Sequence, residues 1–285
     1  MPSTRKKQTT LATSISYTGI GLHSGKIATV VFRPLPVNSG IVFVRVDLPG
    51  KPMIPAQAQF VSATVRATTL TNNGAEVFTI EHLMAALFMA GIDNCQVELD
   101  GPEPPVADGS SLPFIELFNK VGFIEQSADK QIFPLDRTFS VHDNERYITV
   151  IPYAGQRFSF LSINSHPLLG TQYFDVEYGK DDLYKEIAPS RTIAFMHEVE
   201  ELKRNGLGLG GNSENVIVYD DDKVLTPLRF ADELVRHKLL DLLGDLFLAG
   251  SFYGHVIAVV SGHALNTALA KKIAKYIQEG ENGIC

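Results

Sequence analysis

The stretch Asp232–Ala249 reads DELVRHKLLDLLGDLFLA, and in it His237, Asp241 and Asp245 recur at i, i+4 and i+8. At helical spacing these form one polar stripe along a helix that is apolar on its other sides. Two further histidines break apolar patterns. His82 follows Glu81 at the head of the run EHLMAALFM, and His263 closes HVIAVVSG just before a last helical run. Each feature has an ordinary account: a buried His–Asp hydrogen bond or a solvated helix face, a first-turn carboxylate favoured by the helix dipole, a capping histidine. Together they point further. A helix this apolar is expected to be buried, and burying a carboxylate without partners costs on the order of several kcal/mol. Two histidines and one aspartate are a ligand set for catalytic zinc, with three protein ligands and a fourth position open. The i, i+4 spacing lets His237 and Asp241 hold one ion, as the two histidines of H-E-x-x-H do. The third ligand must come from elsewhere in the chain, and His82, beside a carboxylate, is the natural candidate.

The elements that must position these groups alternate between short strands and helices. Leu11–Tyr17, Ile27–Phe32 and Gly40–Val46 are rich in Thr, Val, Ile and Phe and are separated by Gly, Pro and Asn, which predicts strands. A helix over Glu81–Met89 is stopped by Gly91, a strand returns at Cys95–Leu99, and Ser111 caps a helix over Pro113–Val121. The polar run EQSADKQ (Glu125–Gln131) marks a domain boundary. Strands then resume at Phe139–His142, Tyr147–Ile151 and Phe158–Ile163, followed by a helix at Thr192–Arg204 and a strand at Val216–Tyr219. The helix Asp232–Ala249, the strand Val256–Val260 and the helix Ala264–Gln278 complete the chain. Each half runs strands, helix, strand, helix, with one extra helix–strand pair in the second. The expectation is an α+β protein of two domains, 1–127 and 128–285, that arose by duplication of one unit.

Composition bounds the function. The chain has 285 residues, 45% of them hydrophobic, enough for a substantial core. Lys and Arg number 25 against 32 Asp and Glu, a net charge of −7, which argues against a nucleic-acid partner. No segment offers the ~20 apolar residues of a membrane span, and the N-terminal MPSTRKKQTTLATS lacks the apolar stretch of a secretory signal. The two cysteines, Cys95 and Cys285, fit no stabilising disulfide, so a cytoplasmic enzyme is expected.

Two glycine-rich motifs are misleading. Gly206–Gly211 (GLGLGG) matches G-x-G-x-x-G, but here a helix precedes and a strand follows, the reverse of a dinucleotide site. Gly206 reads instead as a helix C-cap. GIGLHSGK (Gly19–Lys26) ends like a phosphate loop, yet Ile20 stands where its first glycine should be and Ile27 where its Ser or Thr should be.

At the candidate residues the sequence resembles the UDP-3-O-acyl-N-acetylglucosamine deacetylases, zinc amidases of lipid A biosynthesis. The matching stretches are GIGLHSG (Gly19–Gly25), TIEHLMAAL (Thr79–Leu87), DN…PEPPVADGSSLPF (Asp93–Phe114), SRTIAF (Ser190–Phe195), GLGLGG, LRFADELVRHKLLDLLGDL (Leu228–Leu246) and SGHALN (Ser261–Asn266). The resemblance implies two α+β domains of similar topology, each a small mixed sheet with two main helices, and the helices sandwiched between the sheets. It implies zinc on His82, His237 and Asp241, although iron(II) suits similar ligands. Glu81 would be the general base toward the zinc-bound water, and His263 the general acid, hydrogen-bonded to Asp245. Thr192 and Lys238 would stabilise the oxyanion. His23 and Lys238 would meet the substrate's polar part, while Phe195, Leu207, Gly208 and Gly210 would lie along the acyl passage. The implied substrate is UDP-3-O-acyl-N-acetylglucosamine, handled by a monomer with no integral membrane segment, at most peripheral to the inner membrane.

Two positions depart from the family pattern. Ile193-Ala194-Phe195 stands where many members have Phe-Gly-Phe, and Val260 stands where some carry lysine. Two other readings account for part of this pattern: a zinc amidase with another substrate, and a sugar-nucleotide-binding protein whose His/Asp stripe is structural. The joint presence of Glu81, Thr192, Lys238, Asp245 and His263 speaks against the second, since binding alone needs no such set.

Overall fold

The computed structural model describes residues 6–281, so Cys285 lies outside the described residues. Six helices are present among them: α1 (Glu81–Ala90), α2 (Leu112–Val121), α3 (Leu183–Glu186), α4 (Met196–Arg204), α5 (Glu233–Phe247) and α6 (His263–Glu281). Two five-strand arrays carry them, and their topologies coincide. In the first half the order is Ile15–Ile20, Ile27–Pro34, Cys95–Leu99, Ile41–Arg45, Met53–Pro55. In the second it is Phe139–Asp143, Arg146–Ile151, Phe252–Val259, Gln156–Ile163, Thr171–Glu177, with Phe133–Pro134 beside Phe252–Val259. In both, the last strand enters the middle, antiparallel to one neighbour and parallel to the other. A parallel pair needs a long crossover. Here the crossovers carry α1 and α5, so the shared topology puts the two equivalent helices at equivalent places.

The register explains the core. Val30, Phe32, Phe43, Val97 and Leu99 face inward from the first sheet, and Val150, Phe158, Phe160, Val256 and Ala258 from the second; all belong to one continuous buried cluster with α1, α5 and α6 residues. Every residue of α1 is buried, as expected for a helix apolar on all sides. Its Phe88 meets Phe158 of the opposite sheet edge-to-face at 5.9 Å. The helices therefore lie between the sheets.

Each half also inserts a three-stranded sheet before its site-bearing helix. These are Val61–Ala63, Thr69–Asn72 and Ala75–Val77 in the first half, and Ile193–Phe195, Ile217–Asp220 and Lys223–Val224 in the second.

Several expectations need correction. The predicted strand Leu11–Tyr17 is two strands, Lys7–Leu11 and Ile15–Ile20. The polar run at Glu125–Gln131 is mostly ordered as strand Phe123–Asp129, paired antiparallel with Lys7–Leu11. The helix expected from Thr192 begins at Met196, because Ile193–Phe195 pairs in parallel with Ile217–Tyr219. Tertiary pairing overrides local pattern there. Ser111 stands at the N-cap of α2 without a side-chain cap bond, and its Oγ donates instead to the His82 carbonyl at 2.7 Å. Gly206 does follow the end of α4 with φ of 71°, the left-handed conformation of a helix stop. Cys95 is buried and has no bridging partner among the described residues, with its thiol pushed up to about 12 by burial. No helix among the described residues is long and apolar enough to cross a membrane.

Candidate functional site

The site forms where α1 and α5 touch. Gly244, in the interior of α5, allows this contact: a Cβ there would lie 2.0 Å from the Glu81 carbonyl oxygen. The close approach presents the first turn of α1, Glu81 and His82, to the polar stripe of α5. Glu81, His82, His237, Asp241 and Asp245 are all buried, so the stripe is not a solvated face.

His82, His237 and Asp241 each offer one ligand atom, and these lie within 4.8 Å of one another. Asp241 Oδ1 is 3.5 Å from His82 Nε2 and 3.4 Å from His237 Nε2. It is buried and makes no hydrogen bond among the described residues, an arrangement that ordinarily costs stability. His237 gives its Nδ1–H to the Ser190 carbonyl at 3.2 Å, which leaves Nε2 as a lone pair facing Asp241. Burial lowers the His237 pKa to about 3, so its imidazole is neutral. Burial opposes the charge on Asp241, but His237, Lys238 and His82 outweigh it and hold the carboxyl well below the usual range. A neutral imidazole and an ionised carboxylate turn lone pairs toward one point, so these residues fit a divalent cation.

Beside this triad stand two further titratable groups. Glu81 Oε2 accepts the Thr68 N–H at 3.0 Å, and burial raises the Glu81 pKa above its ordinary 4.5. His263 opens α6, and its Nδ1 is 2.9 Å from Asp245 Oδ2. Burial alone would lower the His263 pKa; Asp245, then Glu81 and Asp241, overcome this and raise it to about 10. Asp245 is fully buried and also accepts from Asn266 Nδ2 at 3.0 Å and Thr68 Oγ1 at 2.6 Å.

Glu81, His82, His237, Asp241 and His263 line a cavity of about 810 Å³ together with Thr192, Lys238 and His23. Lys238 Nζ is held by Asp241 Oδ2 at 3.0 Å. His23 receives the Gly208 N–H on Nδ1 at 3.2 Å, while its Nε2 is buried without a hydrogen bond among the described residues. Burial lowers its pKa, so His23 brings no positive charge to an anionic ligand. One arm of the cavity is apolar, walled by Val199, Leu202, Leu207, Val216, Val218 and Leu225.

Two expected contact residues sit elsewhere. Phe195 stacks on His197 at 5.7 Å and nears Tyr219 at 6.0 Å, so the wall here is Ile193 and Ala194. Gly210 packs on backbone, where a Cβ would be 2.2 Å from the Gly21 oxygen; the expected Leu207 and Gly208 do line the cavity, and Gly211 joins them.

The structure adds groups the sequence reading missed. Arg66, Arg146 and Lys203 also line the cavity. Arg66 pairs with Glu198 at 3.2 Å, and Arg146 pairs with Asp143. Arg191, bound to Glu233 at 2.9 Å, fixes the loop that carries the Ser190 carbonyl and Thr192. The lone glycine inside an apolar helix was a readable sign of close packing at Gly244. The loop cations carry no periodicity and left no such sign.

Comparison with known proteins places nearly the whole chain in one family. The family described as UDP-3-O-acyl N-acetylglycosamine deacetylase matches residues 8–275. A UDP-3-O-acyl-N-acetylglucosamine deacetylase of Myxococcus xanthus is 46% identical over 269 residues, covering 93% of this chain and 86% of the relative. Proteins of the same name from Xylella fastidiosa Temecula1 and Acidithiobacillus ferrooxidans are 42% and 43% identical over 272 residues, each covering 94% of this chain and 90% of the relative. With a family match across nearly its whole length and relatives of this identity, the chain belongs to the UDP-3-O-acyl-N-acetylglucosamine deacetylase family and is a hydrolytic deacetylase.

Proposed function

We propose that this protein hydrolyses the N-acetyl group of UDP-3-O-acyl-N-acetylglucosamine, giving UDP-3-O-acyl-glucosamine and acetate, a step of lipid A biosynthesis. The observation that carries the reading is the unpaired, buried Asp241 Oδ1 between two histidine nitrogens, with a buried carboxylate and a charged imidazole on the same cavity. A zinc or iron(II) ion on His82, His237 and Asp241 would polarise the acetamide carbonyl and acidify a water.

Glu81 acts as general base. Burial raises its pKa above that of an exposed glutamate, which makes it a stronger proton acceptor. It takes the proton of the attacking water as oxygen bonds to the acetyl carbon. Thr192 and Lys238 supply donors toward the developing oxyanion. His263, an imidazolium at neutral pH, gives its proton to the sugar nitrogen as the C–N bond breaks, and Asp245 holds that charged form. Acetate and a free amine result.

The apolar arm suits the acyl chain, since each buried methylene contributes ~0.8 kcal/mol. The cations Arg66, Arg146, Lys203 and Lys238 suit the diphosphate of an acidic enzyme's anionic substrate. We further infer two domains, 1–127 and 128–285, with Glu81 and His82 from the first and His237, Asp241 and His263 from the second.

The test is acetate release from acylated and unacylated UDP-N-acetylglucosamine. The acylated substrate should be strongly preferred. Equal rates on the two, or no release from either by a folded, metal-loaded enzyme, would overturn the substrate assignment.

A further inference from the structure

We propose that Thr68 is a positioning residue that sets the general base and the general acid from a single point. Its backbone N–H donates to Glu81 Oε2 at 3.0 Å, and its hydroxyl donates to Asp245 Oδ1 at 2.6 Å. Thr68 is 0% exposed, so water does not compete for either bond. It lies just before strand Thr69–Asn72, in the inserted sheet of the first half, whereas Asp245 and His263 belong to α5 and α6 of the second. The hydroxyl thus ties the two halves together at the reacting groups.

The arrangement around Asp245 gives this bond its consequence. Among the described residues, Asn266 and His263 both engage Oδ2, while Thr68 engages Oδ1. Without the Thr68 hydroxyl, one carboxylate oxygen is buried and unpaired, and the carboxylate plane is free to turn away from His263. The same residue fixes Glu81 through main chain, so a shift of Thr68 moves the base and the acid's partner together. Both proton transfers act on one scissile amide, where an error near 1 Å costs about 100-fold. Threonine suits both tasks, since its β-branch favours the extended backbone and its hydroxyl reaches across.

This inference rests on the roles proposed above for Glu81 and His263, and the experiment separates the two claims. Thr68→Val keeps the shape and removes the donor; Thr68→Ser restores it. The full-length, zinc-loaded variants are assayed for acetate release and metal content, and the hydrogen-bonded imidazole proton of His263 is followed by NMR. Thr68→Val should lower kcat by about 10–100-fold with KM within about threefold and metal content unchanged. Thr68→Ser should return kcat to within about threefold of the parent and restore the imidazole signal that Thr68→Val displaces. In an Asp245→Asn background, adding Thr68→Val should cost less than about threefold, because residues acting through one another are not additive. Should Thr68→Val not fold, Thr68→Cys keeps the volume with a weak donor and should show an intermediate kcat. An unchanged kcat in Thr68→Val, or losses that multiply fully in the double variant, would overturn the proposal. The imidazole signal is read without turnover, so a displaced signal in an enzyme that releases no acetate would refute the function and leave the positioning role standing.

Discussion

Replacing Asp245 with asparagine removes a buried charge beside His263 while keeping shape and hydrogen bonds. The Asn carbonyl can still accept from His263 Nδ1 and Asn266 Nδ2, and its amide can turn to Thr68 Oγ1, which now accepts. What is lost is the field that holds the imidazolium. Two unit charges about 4 Å apart at an effective dielectric near 20 interact by about 4 kcal/mol, close to three pKa units, and observed shifts from one opposite charge run about 1–3 units. The His263 pKa, raised to about 10 in the parent, should therefore drop toward roughly 7–9. The general acid must be protonated, so activity falls as pH rises through its pKa. The assay is kcat/KM for acetate release from pH 5 to 11, parent against variant, with matched metal loading. The field of the bound cation acts on both proteins alike, so the measured quantity is the displacement of the basic limb. It should move about 1–3 pH units lower, and the deficit at pH 9 should exceed that at pH 6 by about 2- to 100-fold. Stability has the same sign. His263 is raised above its ordinary 6.5, so the pair's contribution is complete below that value and is lost as pH climbs through about 10. Asp245→Asn should flatten that decline. A basic limb that stays in place would refute the reasoning.

Three other perturbations follow. Glu81→Gln should retain the metal and lower kcat by about 10²–10⁴-fold, the span expected for a general base; full turnover with metal bound would remove that role. Gly244→Ala places a methyl against the Glu81 carbonyl and must push α1 from α5, so it should cost about 1–3 kcal/mol or more in chemical denaturation and weaken metal binding; unchanged stability would show the helices do not meet as described. Val260 is a β-branched residue at φ 50°, and Val260→Asn, which tolerates that conformation, should raise stability by about 1 kcal/mol and Tm by roughly 2–4 °C. A lowered Tm would show that the valine side chain contributes more by packing than its backbone costs.

What the sequence made legible was periodic. The i, i+4, i+8 stripe on α5 and the acidic-histidine opening of α1 stood out because polar residues broke apolar runs, and burial then made them informative. The duplicated order of elements could be read for the same reason, although the central placement of Cys95–Leu99 and Phe252–Val259 came only from strand pairing. Pairing also converted Ile193–Phe195 from predicted helix to strand and ordered the polar run after Phe123. Thr68 was invisible for a different reason. Its neighbours Ala67 and Thr69 give an unremarkable strand edge, and its partners are 13 and 177 residues away. Phe195 shows the limit of transferring contacts, since its ring turned to His197 and Tyr219 and left the cavity wall to smaller neighbours.

The central claim is that His82, His237 and Asp241 hold the metal on which deacetylation depends. Its most direct test is acetate release from UDP-3-O-acyl-N-acetylglucosamine by the purified protein, measured as isolated, after chelation, and after zinc is returned, with bound metal counted at each stage. One metal per chain, activity abolished on chelation and restored with zinc, and no tight metal in Asp241→Ala are the predicted results. Acetate release that persists in a chain shown to be metal-free would contradict the account.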